Sequence, residues 1–175
     1  MATHRFSAGV HAVDKLLRLQ REHVARLLVD ERSKNPRLAE LVQRARQTDV
    51  PIEWVRSHRL DDLAAGTAHQ GVVAELTGLE PLDEAGLRAR VEAALTAGTA
   101  PLILILDGVQ DPHNLGACLR SADAAGVLAV VTPRKAAAGL TPAARKVASG
   151  AAEAVPVVAV ASLVKVLDWL GNYGI

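Results

Sequence analysis

The sequence predicts an α/β protein made of two modules. Three observations lead there. Short aliphatic runs alternate along the chain with stretches whose apolar residues recur every three or four positions, so strand and helix signals take turns. After residue 101 the aliphatic runs are apolar on both faces, which is what strands of a parallel sheet covered by helices require. Between the two halves lies an acidic stretch broken by glycine and proline. The 175 residues suffice for one ordinary domain or two small ones.

In the first module, Val10, Val13, Leu16 and Leu17 have amphipathic spacing and predict a helix over 10–19. Residues 24–29, apolar except for Arg26, form a strand candidate. Residues 37–46 return to helical spacing, and residues 52–55 give a second strand opened by Pro51. Ser57 is placed to cap a short helix reaching Leu63, Gly66 ends it, and residues 72–76 are the third strand. The outcome is a compact α-β-α-β-α-β unit over 1–76. Residues 77–100 set Glu80, Asp83, Glu84 and Glu92 against Arg88 and Arg90, with Gly78, Pro81, Gly86 and Gly98 as breaks. They read as a linker holding a short helix around Leu87, Val91 and Leu95.

The second module, 101–175, opens on five aliphatic residues, 102–106, expected to be a central parallel strand. A small-residue helix over 114–125 follows, with Asn114 suited to its N-cap and Gly126 as its stop. Residues 127–131 are a second buried strand. Thr141-Pro142 puts a capping residue before a proline at the first helical position and opens a helix to about Ser149. A strand over 155–160 and a helix over 162–170, stopped by Gly171, complete three strand-helix repeats and a parallel sheet. A sheet this narrow is expected to expose apolar area from 102–106 and 127–131, or to leave an unpaired edge.

Composition narrows the function. Half the residues are hydrophobic and 22% are charged, which excludes intrinsic disorder. Aromatic residues make up 2%, so stacking of bases on aromatic platforms is not a main mode of binding. The net charge of +1 gives no overall pull on a polyanion, although residues 1–76 hold 12 Lys and Arg against 10 Asp and Glu, enough for a local patch. No stretch has the ~18 apolar residues of a membrane helix and the polar start has no secretory core, so a cytoplasmic protein is expected. The single Cys118 and six scattered histidines suit neither a disulfide nor a metal centre. No dinucleotide or nucleoside-triphosphate phosphate loop is present.

Ligands of open parallel sheets bind beyond the carboxyl ends of the strands, which draws attention to the loop after residue 106. Asn114 stands at the helix start, where an anion is also welcome, and Arg120 lies six positions on with a side chain long enough to reach back toward the same mouth. Local physics alone leaves alternatives open: Asn114 as a structural cap, Arg120 as a solvated partner of Asp123. Asp107, Asp111 and His113 read as turn residues and Cys118 as a small buried side chain.

Residues 106–128 (LDGVQDPHNLGACLRSADAAGVL) and 141–158 (TPAARKVASGAAEAVPVV) resemble the first half of the catalytic domain of the SpoU-type RNA ribose 2′-O-methyltransferases, a branch of the SPOUT superfamily. Within that family they are most similar to the bacterial enzymes that methylate a guanosine of 23S ribosomal RNA. Residues 7–14 (SAGVHAVD) and 68–76 (AHQGVVAEL) resemble the family's substrate-binding domain, whose fold is like that of ribosomal protein L30e. The resemblance implies an S-adenosylmethionine-dependent homodimer acting on ribosomal RNA, with a deep trefoil knot. It places the family's catalytic asparagine and arginine on Asn114 and Arg120. RNA contacts in the first module are expected on Arg5, Arg56, Arg59, His69 and Gln70. A free guanidinium has a pKa above about 12, so electrostatic orientation of the hydroxyl and phosphate is the expected role of the arginine. The family's later Gly-Glu-Gly and Ser-Leu-Asn-Val motifs, which supply most cofactor contacts and the knot, do not occur in these 175 residues. The expectation is an amino-terminal portion of such an enzyme, with no knot, no cofactor-binding residues of its own and no methyl transfer when alone. A non-enzymatic RNA-binding or assembly protein using the first module is the alternative. An unrelated small-molecule enzyme lacks support, since neither a phosphate loop nor a nucleophile elbow is present.

Overall fold

A computed structural model describes residues 5–77 and 82–175, with the side chain of Arg5 outside that set. The chain divides into two compact units, Met1–Glu80 and Pro81–Ile175.

The first unit is a four-stranded mixed sheet in the order β1-β4-β2-β3. The strands are β1 (Arg5–Ala8), β2 (Val24–Asp30), β3 (Ile52–Val55) and β4 (Val72–Leu76); β2 and β3 run parallel, and β4 is antiparallel to both β1 and β2. Strand β1 was not expected. Four residues with a single large apolar side chain give no periodicity to read, and β1 exists because β4 offers it an edge. Alternate residues of the strands serve opposite cores. Leu27, Val29, Val72 and Ala74 pack under α1 (Val10–Leu19) and α2 (Pro36–Gln47), while Leu28 and Val73 meet Leu60 and Ala64 of α3 (Ser57–Ala64) on the other face. Ser57 does not cap α3: it is the first helical residue, the N-cap is Arg56, and no side chain caps that end.

Helix α1 is capped from a distance. Gly9, at φ 100, precedes it, and the Gln70 Oε1 accepts the Val10 N–H at 3.0 Å while the Gln70 carbonyl accepts from the Asn35 side chain at 3.3 Å. Gln70→Ala is therefore expected to cost about 1 kcal/mol, as lost helix caps do, seen as a lower urea midpoint with an unchanged m value.

The second unit is a three-stranded parallel sheet in the order β5-β6-β7, formed by β5 (Ile103–Ile105), β6 (Ala129–Pro133) and β7 (Val157–Val160). One face carries α4 (Glu84–Thr96) and α8 (Leu163–Asn172), the other α5 (Pro112–Ala124), α6 (Pro142–Ala148) and the short α7 (Ala151–Ala154). The structure revises several expectations here. The helix within 77–100 is not a linker element: Leu87 and Val91 are completely buried with Val158, Val160 and Trp169, so α4 is part of the second unit's core. The central strand is β6. Residues 103–105 form an edge, unpaired among the described residues, and are half-buried, with Leu102 53% exposed, whereas Ala129, Val130 and Val131 are fully buried and Val127 and Leu128 partly so; the expected open edge is present, and the expected exposure is absent from 129–131. Five aliphatic residues signal burial, but their position in the sheet is set by which partner strands dock. Helix α8 passes through Gly171, and α7 was not foreseen.

Helices α4 and α8 are joined at the surface. Arg88 stacks on the Trp169 ring at 4.7 Å, the Tyr173 ring meets Trp169 edge-on at 6.0 Å, and the Tyr173 hydroxyl donates to Glu92. That hydrogen bond holds the Tyr173 pKa above its ordinary 10.0. The proton is thus retained longer in the folded state, and the contribution of this contact is full below the unfolded phenol pKa and vanishes as pH rises through the raised folded value. Thermal unfolding above pH ~10 is expected to show an alkaline loss of stability that Tyr173→Phe diminishes.

Candidate functional site

The site assembles beyond the carboxyl ends of the parallel strands. Leu106 N–H donates to the Val131 carbonyl at 2.9 Å and Arg134 N–H to the Val160 carbonyl at 2.8 Å, which holds the three strand ends side by side. The loop from β5 is tied across to the loop after β6, where Ala138 N–H reaches the Val109 carbonyl at 2.7 Å. Helix α5 leaves this rim. Its cap is Asp111, whose carboxylate accepts the His113 N–H at 2.8 Å, with Pro112 as the first helical residue. Asn114 is consequently not the N-cap but lies within the first turn. The Asp-Pro pair obeys the rule that located Thr141-Pro142, where Thr141 Oγ1 accepts the Ala144 N–H at 3.2 Å.

That shift frees the Asn114 amide. It is exposed, and its side chain makes no hydrogen bond among the described residues. Arg120 is exposed too and forms no ion pair among the described residues, so the alternative of an Arg120–Asp123 pair is not realised. Six residues of α-helix place the two about 120° apart around the axis and roughly 9 Å along it, both off the buried stripe of Leu115, Gly116, Leu119 and Ala122. They flank a strip of helix surface, not a shared point. Arg134 and Lys135 stand exposed directly after β6 and add positive charge at the strand ends. The sequence reading passed over them, although basic residues immediately after a buried strand were the available signal.

Helix α5 is held by α6. A Cβ on Gly116 would lie 2.6 Å from the Ala144 carbonyl oxygen and 2.7 Å from the Val147 Cβ, so the two helices touch through backbone. Behind them, Arg145 of α6 pairs at 2.6 Å with the buried Glu153 of α7, across a turn formed by Ser149 at φ 50 and Gly150 at φ 88.

The five RNA-contact candidates of the first unit are not brought together. Arg56 and Arg59 are exposed at the start of α3, with Arg56 3.9 Å from Glu31. The Cα of Arg5 pairs with Leu76 at the opposite end of the sheet, and its side chain lies outside the described residues. His69 and Gln70 are engaged in structure. The His69 Nδ1 accepts the Gly71 N–H at 3.0 Å, which directs Nε2–H to Asp61 at 3.1 Å, and Gln70 caps α1.

The fold and both halves of this arrangement have counterparts among RNA methyltransferases. Over 97% of the chain, the structure superposes with TM-score 0.68 and 23% identity on 60% of the SpoU methyltransferase AviRb from Streptomyces viridochromogenes, a structure in complex with AdoMet. An RNA 2′-O ribose methyltransferase aligns with 98% of the chain and 60% of its own at TM-score 0.63 and 25% identity. The fold is that of the SpoU methyltransferases. Residues 8–82 match the family profile for RNA 2′-O ribose methyltransferase substrate binding, and residues 101–175 match the SpoU rRNA methylase family. The 23S rRNA (guanosine-2′-O-)-methyltransferase RlmB of Xanthomonas axonopodis pv. citri is 44% identical over 172 residues, covering 98% of this chain and 68% of that protein. The RlmB of Pseudomonas putida is 45% identical over 167 residues, and that of Xylella fastidiosa 42% over 164. The chain belongs to the SpoU rRNA methylase family. It spans about 65% of the length of the curated relatives it matches.

Proposed function

We propose that the protein serves the S-adenosylmethionine-dependent 2′-O-methylation of a guanosine ribose in 23S ribosomal RNA, with the first unit holding RNA and α5 presenting Asn114 and Arg120 to the reacting nucleotide. The observation that carries this reading is identity of 42–45% running through both units with enzymes named for that reaction. When bound, S-adenosylmethionine would supply an electrophilic methyl group to the ribose 2′-oxygen, the methyl carbon–sulfur bond breaking to release S-adenosylhomocysteine and the hydroxyl proton passing to water. Arg120, exposed and without a carboxylate partner among the described residues, is available for a phosphate or hydroxyl, and its planar fork can take two oxygens at once. The guanidinium acts by aligning the hydroxyl and stabilising negative charge on its oxygen. The Asn114 amide adds a second hydrogen-bonding group on the same helix.

RNA binding without chemistry, by the first unit, is the second reading, and the substrate-binding match over residues 8–82 is the observation that favours it. Action as a homodimer in the cytoplasm, where ribosomal RNA is made and assembled, completes the proposal.

A hybrid enzyme tests it. Residues 1–175 replace the matching segment of the Pseudomonas putida relative, and the purified hybrid is given unmodified 23S rRNA with S-adenosylmethionine labelled in its methyl group. Label at the 2′-oxygen of a guanosine is expected. A folded hybrid that binds the RNA and transfers no methyl would defeat the enzymatic reading and leave the RNA-binding one.

A further inference from the structure

The topology of the first unit gathers basic residues from separate parts of the chain at one end of its sheet. The carboxyl ends of β1, β2 and β3 and the amino end of β4 coincide there, since Asp30 pairs with Val55, Val29 with Val72 and Ala8 with Val73. The loop after β2 brings Arg32 and Lys34, the start of α2 brings Arg37, and the start of α3 brings Arg56 and Arg59. All five are exposed, Arg32 and Arg56 with side chains 83% and 74% accessible. The loops are tied together: Glu31 N–H donates to the Val55 carbonyl at 3.0 Å, Asp30 N–H to the Gly71 carbonyl at 2.9 Å, and Arg37 to His11 Nε2 at 3.1 Å.

Of the carboxylates at this end, Asp30 accepts the Arg32 N–H, Asp61 faces His69, and the one Glu31 side chain stands 3.9 Å from both Arg32 and Arg56; Glu40 and Asp62 are exposed one turn farther along α2 and α3. Lys34, Arg37 and Arg59 have no carboxylate partner among the described residues. The placement also costs stability. Helices α1, α2 and α3 all begin here, where backbone N–H groups point outward, yet none has an acid in its first turn, and His11, Arg37, His58 and Arg59 sit there instead. Positive charge at a helix N-terminus opposes the macrodipole. Helix α4, by contrast, begins with Asp83 and Glu84.

We infer that Arg32, Lys34, Arg37, Arg56 and Arg59 form one phosphate-binding rim that docks the sugar-phosphate backbone of the RNA, reading charge and shape with no aromatic stacking. This rests on the reading that the first unit holds RNA, for which the substrate-binding match over residues 8–82 stands. It changes the expected contact set: Arg56 and Arg59 remain, His69 and Gln70 act as scaffold, and Arg32, Lys34 and Arg37 join.

The test uses the 175-residue chain and deproteinised 23S rRNA in filter-binding titrations across a salt series. A trio of Lys34→Ala, Arg37→Ala and Arg59→Ala is compared with a pair at the opposite end of the same helices, Arg18→Ala and Arg46→Ala. The trio is expected to bind at least ~10-fold more weakly and to lower the slope of log K against log salt by about 2, as loss of three phosphate contacts does. Its Tm should stay level or rise, because the removed charges oppose helix dipoles. The exchanges Lys34→Arg, Arg37→Lys and Arg59→Lys together should keep affinity within about threefold. An alanine trio that binds as the parent does, equal loss from the control pair, or failure of the charge-keeping trio overturns the rim while leaving RNA binding by the unit in place. No binding by the parent chain overturns the reading beneath it.

Discussion

Arg120→Ala in the hybrid enzyme is expected to lower methyl transfer by about 10²–10³-fold, the scale of removing one preorganised donor from a site of developing negative charge. Stability should barely move, because Arg120 is exposed and carries no ion pair among the described residues; exposed substitutions of that kind stay within about 0.5 kcal/mol. The pairing of those two results is what identifies the residue. Single-turnover rates with saturating 23S rRNA separate the transfer step from RNA binding, and RNA affinity should fall far less than the rate. Arg120→Lys keeps the charge without the planar fork and should recover only part of the loss. Retention of full transfer by Arg120→Ala would return the residue to an ordinary surface cation.

Gly116→Val should have the largest effect on folding. Any side chain at 116 meets the Ala144 carbonyl at 2.6 Å and the Val147 Cβ at 2.7 Å, and a backbone oxygen cannot rotate away as a side chain could. Alanine in a helix interior gains about 1 kcal/mol in propensity over glycine, but overpacking costs about 1–3 kcal/mol, so Gly116→Ala is expected to be net destabilising. The branched side chain of valine adds further methyl groups to the same gap and should cost about 3 kcal/mol or more. Because Leu115, Leu119, Ala144 and Ala148 form one cluster, the damage belongs to the second unit's core. The first unit has cores of its own, built from residues before 77. Thermal unfolding of the Gly116→Val chain should show the second unit melting early, and proteolysis should degrade it while a fragment of the first unit survives. A variant as stable as its parent would mean that α5 and α6 can separate freely, and Asn114 and Arg120 would then lack a fixed support.

Much of this was legible from residues alone where the signal is local. The spacing of Val10, Val13, Leu16 and Leu17 bounded α1 at both ends, the Thr141-Pro142 pair placed α6, and the uninterrupted aliphatic residues of β6 and β7 announced a sheet covered on both faces. The long motif around Asn114 and Arg120 identified the family that both profile matches then showed. Those features depend on periodicity, on capping chemistry and on residue identity, which are properties of a short stretch of chain.

The tertiary structure decided what depends on partners distant in sequence. Strand β1 exists because β4 lends it an edge, and α4 became core because Leu87 and Val91 found Val158 and Val160 some seventy residues away. Gln70, read from the sequence as an RNA contact, accepts the otherwise unpaired N–H of Val10 and so caps a helix sixty residues earlier. Asn114 was released from capping once Asp111 took the position. The five cations of the rim are spread over 28 residues of sequence and meet because three strands end on the same side of one sheet. Sequence determined the elements and the family, through local chemistry; which surfaces those elements present was set by pairings between strands and by hydrogen bonds across the fold, whose partners no local pattern announces.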